Sequence, residues 1–118
     1  MATFSVPIDV GSADSQQFRS LEALVDAGAT YTMLPASLLA SLGVEPDEER
    51  PFMLANGEQI RRQLAQTWVR IDGRARMTMV VFGDEGALPL LGAVTLEEFG
   101  LAVDPVARRL VPVPGLLV

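Results

Sequence analysis

Apolar and polar residues alternate over residues 4–10 (Phe-Ser-Val-Pro-Ile-Asp-Val), a period of two that predicts a half-buried strand. Pro7 places that strand at a sheet edge. Residues 11–15 are turn-rich, and 18–25 read as the returning strand, so the two form a hairpin that delivers Asp26 at its end. A short strand follows over 31–34. Pro35 then opens a brief helix running through Leu42, with Gly43 placed to end it. Residues 45–51 read as a charged loop. Asn56-Gly57 and Asp72-Gly73 are both tight-hairpin signals. The first predicts a strand on either side, and the second joins strands over 64–71 and 76–82. Residues 83–87 read as a loop and 88–91 as a short apolar strand. Thr95-Leu96-Glu97-Glu98 has the spacing of a helix-opening capping box, and Gly100 ends that helix after little more than a turn. Residues 101–103 and 110–113 predict a last hairpin, followed by an apolar tail over 114–118.

These elements predict an all-β domain spanning residues 1–118, with one or two short helices. There is also an internal echo. Leu39-Ala40-Ser41-Leu42-Gly43-Val44 matches Leu96-Glu97-Glu98-Phe99-Gly100-Leu101 at its apolar and glycine positions. Each segment follows a short strand and a small-residue turn. Either short helices share an ending, or the two halves of the domain are structurally duplicated.

Composition narrows the chemistry. About half of the 118 residues are apolar and the mean hydropathy is +0.30, high for a small monomer and consistent with surface hidden in an oligomer. No apolar run approaches the roughly 20 residues of a membrane-spanning helix, and the start lacks signal-peptide character. The expected compartment is therefore the cytoplasm, with no membrane partner. The net charge is −6 and all nine basic residues are Arg, so nucleic-acid binding is not expected. His, Cys and Lys are absent. That removes Ser-His and Cys-His nucleophile pairs, lysine Schiff bases and the usual zinc ligands. Carboxylates are left to move protons, because Arg stays protonated and Tyr31 titrates too high to be a good base. No cofactor or metal is expected.

The informative stretch is Leu24-Val25-Asp26-Ala27-Gly28-Ala29-Thr30, in which an apolar strand runs straight into a carboxylate and then into small residues. Taken alone, it could equally be an ordinary turn. It is followed in order by Thr32-Met33-Leu34-Pro35, the Asn56-Gly57 hairpin tip, and Pro89-Leu90-Leu91-Gly92 before a short helix. In that order and spacing the chain resembles the retropepsin-like aspartic peptidases, in particular the small bacterial members, from Phe4 to about Val113.

The resemblance implies an acid-protease half-barrel, closed or partly open, that works as a homodimer on peptide or protein substrates. It implies that Asp26 is the catalytic aspartate. Gly28 and Ala29 would line the loop beside it, with the Gly28 carbonyl offered to bound peptide, and Thr30 would contact substrate backbone. The hairpin from about Phe52 to Arg61 would be a flap, bringing Met53, Leu54, Ala55, Asn56 and Gly57 to the substrate. Leu90-Leu91-Gly92 would pack beneath the catalytic loop. Ile60, with Met53 and Leu54, would contact substrate side chains from the flap, unless the hairpin is a plain surface one; Met33, Leu34, Val81 and Leu90 are candidates for pocket walls, or simply for core. Asp9, Asp14, Asp72, Asp84 and Asp104 read as turn or surface carboxylates.

One departure matters. The family places Thr or Ser after the aspartate, where its hydroxyl ties the two catalytic loops together across the dimer; this chain has Ala27. A net hydrogen bond contributes about 1 kcal/mol, and the loss occurs once per protomer. The expectation is a looser dimer, lower activity, or both. The alternatives are a catalytically weak or inactive peptide-binding or dimerisation module on the same fold, a barrel acting purely in assembly, and, least favoured, an all-carboxylate metal hydrolase.

Overall fold

The computed structural model describes residues 4–26 and 28–117, so the consequences expected of Ala27 fall outside the described residues. The first two strands, β1 (Phe4–Gly11) and β2 (Phe18–Val25), pair antiparallel along their whole length, with Phe4 opposite Val25 and Gly11 opposite Phe18. The alternation read from the sequence turns Phe4, Ile8 and Val10 inward. The chain continues through β3 (Thr32–Pro35), α1 (Ala36–Ser41), β4 (Glu48–Met53), β5 (Gln59–Ile71), β6 (Arg74–Gly83), β7 (Leu90–Leu91), α2 (Ala93–Glu98), β8 (Leu101–Asp104) and β9 (Arg109–Pro112).

The first seven strands form one sheet in the order β1-β2-β7-β3-β6-β5-β4. β1 also pairs with β5 through Asp9–Arg70 and Val10–Val69, which curls the sheet into a partly closed barrel. Val10, Val25, Leu34, Leu39, Val69, Val80 and Leu91 fill its interior, and β8 and β9 form a separate hairpin. This is the expected all-β architecture with two short helices. No helix among the described residues is long and apolar enough to cross a membrane.

Several local expectations change. The charged stretch 45–51 is not all loop, because β4 begins at Glu48. It is an edge strand whose side chains stay largely in solvent, with Glu49 pairing to Arg61 across the strands at 2.6 Å, so it shows no apolar alternation. Residues 88–91 give only the two-residue β7. Leu88 is exposed, and Pro89 contributes its carbonyl, which accepts the Leu24 N–H at 2.8 Å. Thr95 is not a helix cap. α2 begins at Ala93 behind Gly92, and the Thr95 hydroxyl is buried against Thr32 and Thr78. The capping-box spacing arose from a polar side chain that serves the core. At Asp72-Gly73 both φ angles are positive, +50° and +79°, as a two-residue hairpin turn requires. The turn at Asn56-Gly57 is longer. Leu54 and Glu58 close it, and only Gly57 takes a positive φ (+88°).

The internal echo is real duplication. β2 pairs parallel to β7 with Leu24 opposite Leu90, and β6 pairs parallel to β3 with Val81 opposite Met33. One shift of 57 residues takes 24 to 81 and 33 to 90. The same shift takes buried Leu39, Leu42 and Val44 onto buried Leu96, Phe99 and Leu101, and it takes Gly43 (φ +73°) onto Gly100 (φ +67°). β3 and β7 meet at the middle of this arrangement, antiparallel, with Met33 opposite Leu90.

Candidate active site

Asp26 stands where β2 runs out. Val25 is fully buried behind it. The Asp26 N–H points to the Leu91 carbonyl at 3.4 Å, and its own carbonyl accepts the Ala29 N–H at 3.0 Å. The Gly28 N–H donates to the Asp26 carboxylate at 2.9 Å, which fixes the carboxylate on the loop. The carboxylate is half-buried, whereas Gly28 and Thr30 are exposed.

The floor beneath this loop is the β7–α2 junction. Ala93 and Val94 donate their N–H groups to the Ala29 and Thr30 carbonyls at 2.8 and 2.9 Å. Gly92 lies so close that an added Cβ would sit 2.4 Å from the Tyr31 carbonyl carbon, so only glycine fits. The Gly92 N–H is held by the Thr32 hydroxyl at 3.0 Å. Leu90-Leu91-Gly92 therefore occupies the place beneath the loop that the sequence resemblance gave it.

The β4–β5 hairpin stands on the other side. Phe52 meets Tyr31 edge to face, with ring centroids 5.6 Å apart and planes at 77°. This aromatic pair separates two cavities. One, of about 460 Å3, is lined by Gly28, Ala29, Thr30, Tyr31 and residues 50–53. The other, of about 370 Å3, is mostly apolar; its walls include Met33, Leu54, Ile60, Val81 and Leu90, with Arg62 and Asp84 also lining it. Arg62 and Asp84 form an ion pair at 2.9 Å. In the first cavity, hydrogen bonding to Glu48 raises the affinity of the Arg50 guanidinium for its proton, with a smaller contribution from Tyr31.

The sequence reading placed Gly28, Ala29, Thr30 and Met53 together, and they line one cavity. Leu54 lines the other. Ala55, Asn56 and Gly57 are exposed at the hairpin tip and line neither cavity. Leu34 is core, 1% exposed, because it lies on the inward face of β3, whereas its neighbour Met33 faces the cavity. Tyr31, Phe52, Arg50 and Arg62 were not identified as lining residues. The odd-even alternation of β4 and β5 could have singled out Arg50, Phe52 and Arg62, and Tyr31 shares the parity of Met33 on the adjoining β3. Asp84 is exposed, as expected of a surface carboxylate, yet it belongs to a cavity wall. No three acidic side chains converge as metal ligands among the described residues.

The profile of a family described as aspartyl protease matches residues 6–95. Comparison with curated proteins found no match. The solution structure of the simian foamy virus (mac) protease superposes with a TM-score of 0.55, at 18% identity, covering 80% of this chain and 94% of that one. With this backbone, and with the Asp26 loop seated on Leu91-Gly92, the chain belongs to the aspartyl protease family and has its retropepsin-like fold.

Proposed function

We propose that the chain is an aspartic endopeptidase whose active site is completed by a two-fold dimer, each protomer lending one Asp26. The observation that carries this reading is the pseudo-symmetry of the barrel. The shift of 57 residues that superposes the two halves places Gly83 where the first half has Asp26. One protomer therefore offers one carboxylate, and a symmetric partner is the economical source of the second.

Two carboxylates brought within a few ångströms share one proton, a behaviour for which aspartic peptidases are the standard example. The ionised Asp26 takes a proton from a water held between the pair, and the protonated one donates to the scissile carbonyl. The Gly28 N–H keeps the carboxylate oriented for this step. The exposed Gly28 and Thr30 leave the loop free to meet an extended peptide, whose alternate side chains enter the two cavities beside Tyr31 and Phe52. The β4–β5 hairpin acts as the flap, with Met53 beside the cavity next to Gly28 and Leu54 beside the apolar one.

Incubation with an unstructured protein from acid to neutral pH tests the reading. Cleavage abolished by Asp26→Asn is the expected result. Absence of cleavage at every pH and concentration would instead favour a peptide-binding or dimerisation module on this fold. Ala27→Thr is expected to tighten the dimer and raise turnover.

A further inference from the structure

A continuous line of hydrogen bonds runs beneath the catalytic loop to the far side of α2. The Gly92 N–H donates to the Thr32 hydroxyl at 3.0 Å. Thr32 and Thr95 hydroxyls lie 2.6 Å apart, and Thr95 and Thr78 hydroxyls 3.0 Å apart. Thr78 then donates to the Glu98 carboxylate. All three threonines are buried, at 0–1% exposure.

The direction of every bond follows from the two ends. A backbone N–H can only donate, and an ionised carboxylate can only accept. Each hydroxyl has a single proton. Thr78 uses its proton on Glu98, so Thr95 must donate to Thr78, and Thr32 must donate to Thr95. The line then extends one step further back. The Leu91 carbonyl and the Gly92 N–H belong to one peptide unit, and that carbonyl faces the Asp26 N–H at 3.4 Å. From Asp26 to Glu98, every donor points the same way. Aligned hydrogen bonds polarise one another, and a charged acceptor at the end strengthens the row. Reversing the row would leave the Thr32 proton buried without an acceptor among the described residues.

We propose that Glu98 is a positioning residue for Asp26, acting through Thr78, Thr95, Thr32 and the Leu91–Gly92 peptide. The proposal rests on the peptidase reading only for its effect on turnover. Glu98 does not touch the site; it sets the polarity and tension of the floor on which the Asp26 loop rests. The other charged side chains on α2 and the elements packed against it are Glu97 on α2, Arg74 and Arg76 on β6, and Asp104 on β8. None forms an ion pair with Glu98 within 4.0 Å among the described residues.

The test is an NMR titration of the full chain that follows the Glu98 carboxyl carbon and the amide protons of Gly92 and Asp26. In the unsubstituted protein both amides are expected to shift with the midpoint of Glu98. Glu98→Gln, a conservative change on an exposed side chain, removes the response. Thr95→Val cuts the row while Glu98 still titrates, and it also removes the response; Thr78→Val serves if Thr95→Val does not fold. Amides that ignore Glu98, or a response that survives the cut, overturn the proposal. In turnover, Glu98→Ala is expected to lower kcat about fivefold, the equivalent of one net hydrogen bond, at unchanged KM. Glu98→Gln, which keeps an acceptor oxygen, restores most of that loss. An Asp26-dependent cleavage with unchanged kcat in Glu98→Ala also overturns it. Loss of the peptidase reading would show separately, as absence of Asp26-dependent cleavage in the unsubstituted chain.

Discussion

Asp26 and Gly83 stand at equivalent positions in the two halves of the barrel, each directly after the buried strand residue that precedes it, Val25 in one half and Phe82 in the other. An aspartate at Gly83 would require the Met33 side chain to shift. An added Cβ there would lie 2.9 Å from the Met33 side chain and 3.3 Å from the Leu34 carbonyl. The duplicated fold thus has one acidic loop, and glycine stands at the equivalent position of the other half, so within one protomer the carboxylate is not repeated at that position.

Mixing follows from that. If each site needs one Asp26 from each protomer, Asp26→Asn chains added to the unsubstituted protein poison it by forming mixed dimers. Activity at fixed total protein is expected to fall as the square of the unsubstituted fraction. A linear fall, measured by peptide cleavage across a mixing series, would mean that single chains act alone.

The hairpins, both helices and the duplication were legible in the sequence because each has a strong local cause. Alternation marks β1, glycine at positive φ marks the helix ends, and Asp72-Gly73 marks a turn. Asp26 and its floor were legible only through motif order, since nothing local says that Leu91 and Gly92 lie under residue 26. The Tyr31, Phe52, Arg50 and Arg62 parts of the cavity walls were hidden for a different reason. Phe52 and Tyr31 meet from elements separated in sequence, and Thr95 imitates a cap while bonding across the core to residues far away in the chain.

The Tyr31–Phe52 contact predicts a binding effect. Phe52→Ala removes an edge-to-face pair worth about 1 kcal/mol and merges the two cavities. The expected outcome is a severalfold higher KM for peptides with large apolar side chains, with kcat little changed. Tyr31→Phe keeps the ring contact and should bind normally. Steady-state kinetics on one apolar peptide series checks both.

Gly92 and Gly57 predict contrasting costs for the same substitution. At Gly92 the new methyl would meet the Tyr31 and Thr30 main chain at 2.4–2.9 Å, which cannot yield as a side-chain tip can. Gly92→Ala should cost about 3 kcal/mol or more, as overpacking against fixed atoms does. At Gly57 there is open space, and only the positive φ of +88° opposes alanine, at about 1 kcal/mol. Chemical denaturation midpoints of the two variants should separate clearly. Equal midpoints would mean that the Asp26 loop can lift off its floor.

Acid stability should depend on Asp9, which joins β1 to β5. Its carboxylate accepts from the Ser20 hydroxyl at 2.6 Å and from Arg70 at 2.9 Å, and these bonds, Ser20 first, hold its pKa below the ordinary 3.8. The folded chain therefore holds the proton less tightly than the unfolded chain does. The resulting stability is complete above about pH 3.8 and is lost as pH falls through the lower, folded-state value. Asp9→Asn keeps an acceptor but cannot carry the charge. It should melt below the unsubstituted protein at neutral pH, and the two melting temperatures should converge as the solution is acidified below that window. A gap that stays constant into strong acid would show that the Arg70 contact works by shape and not by charge.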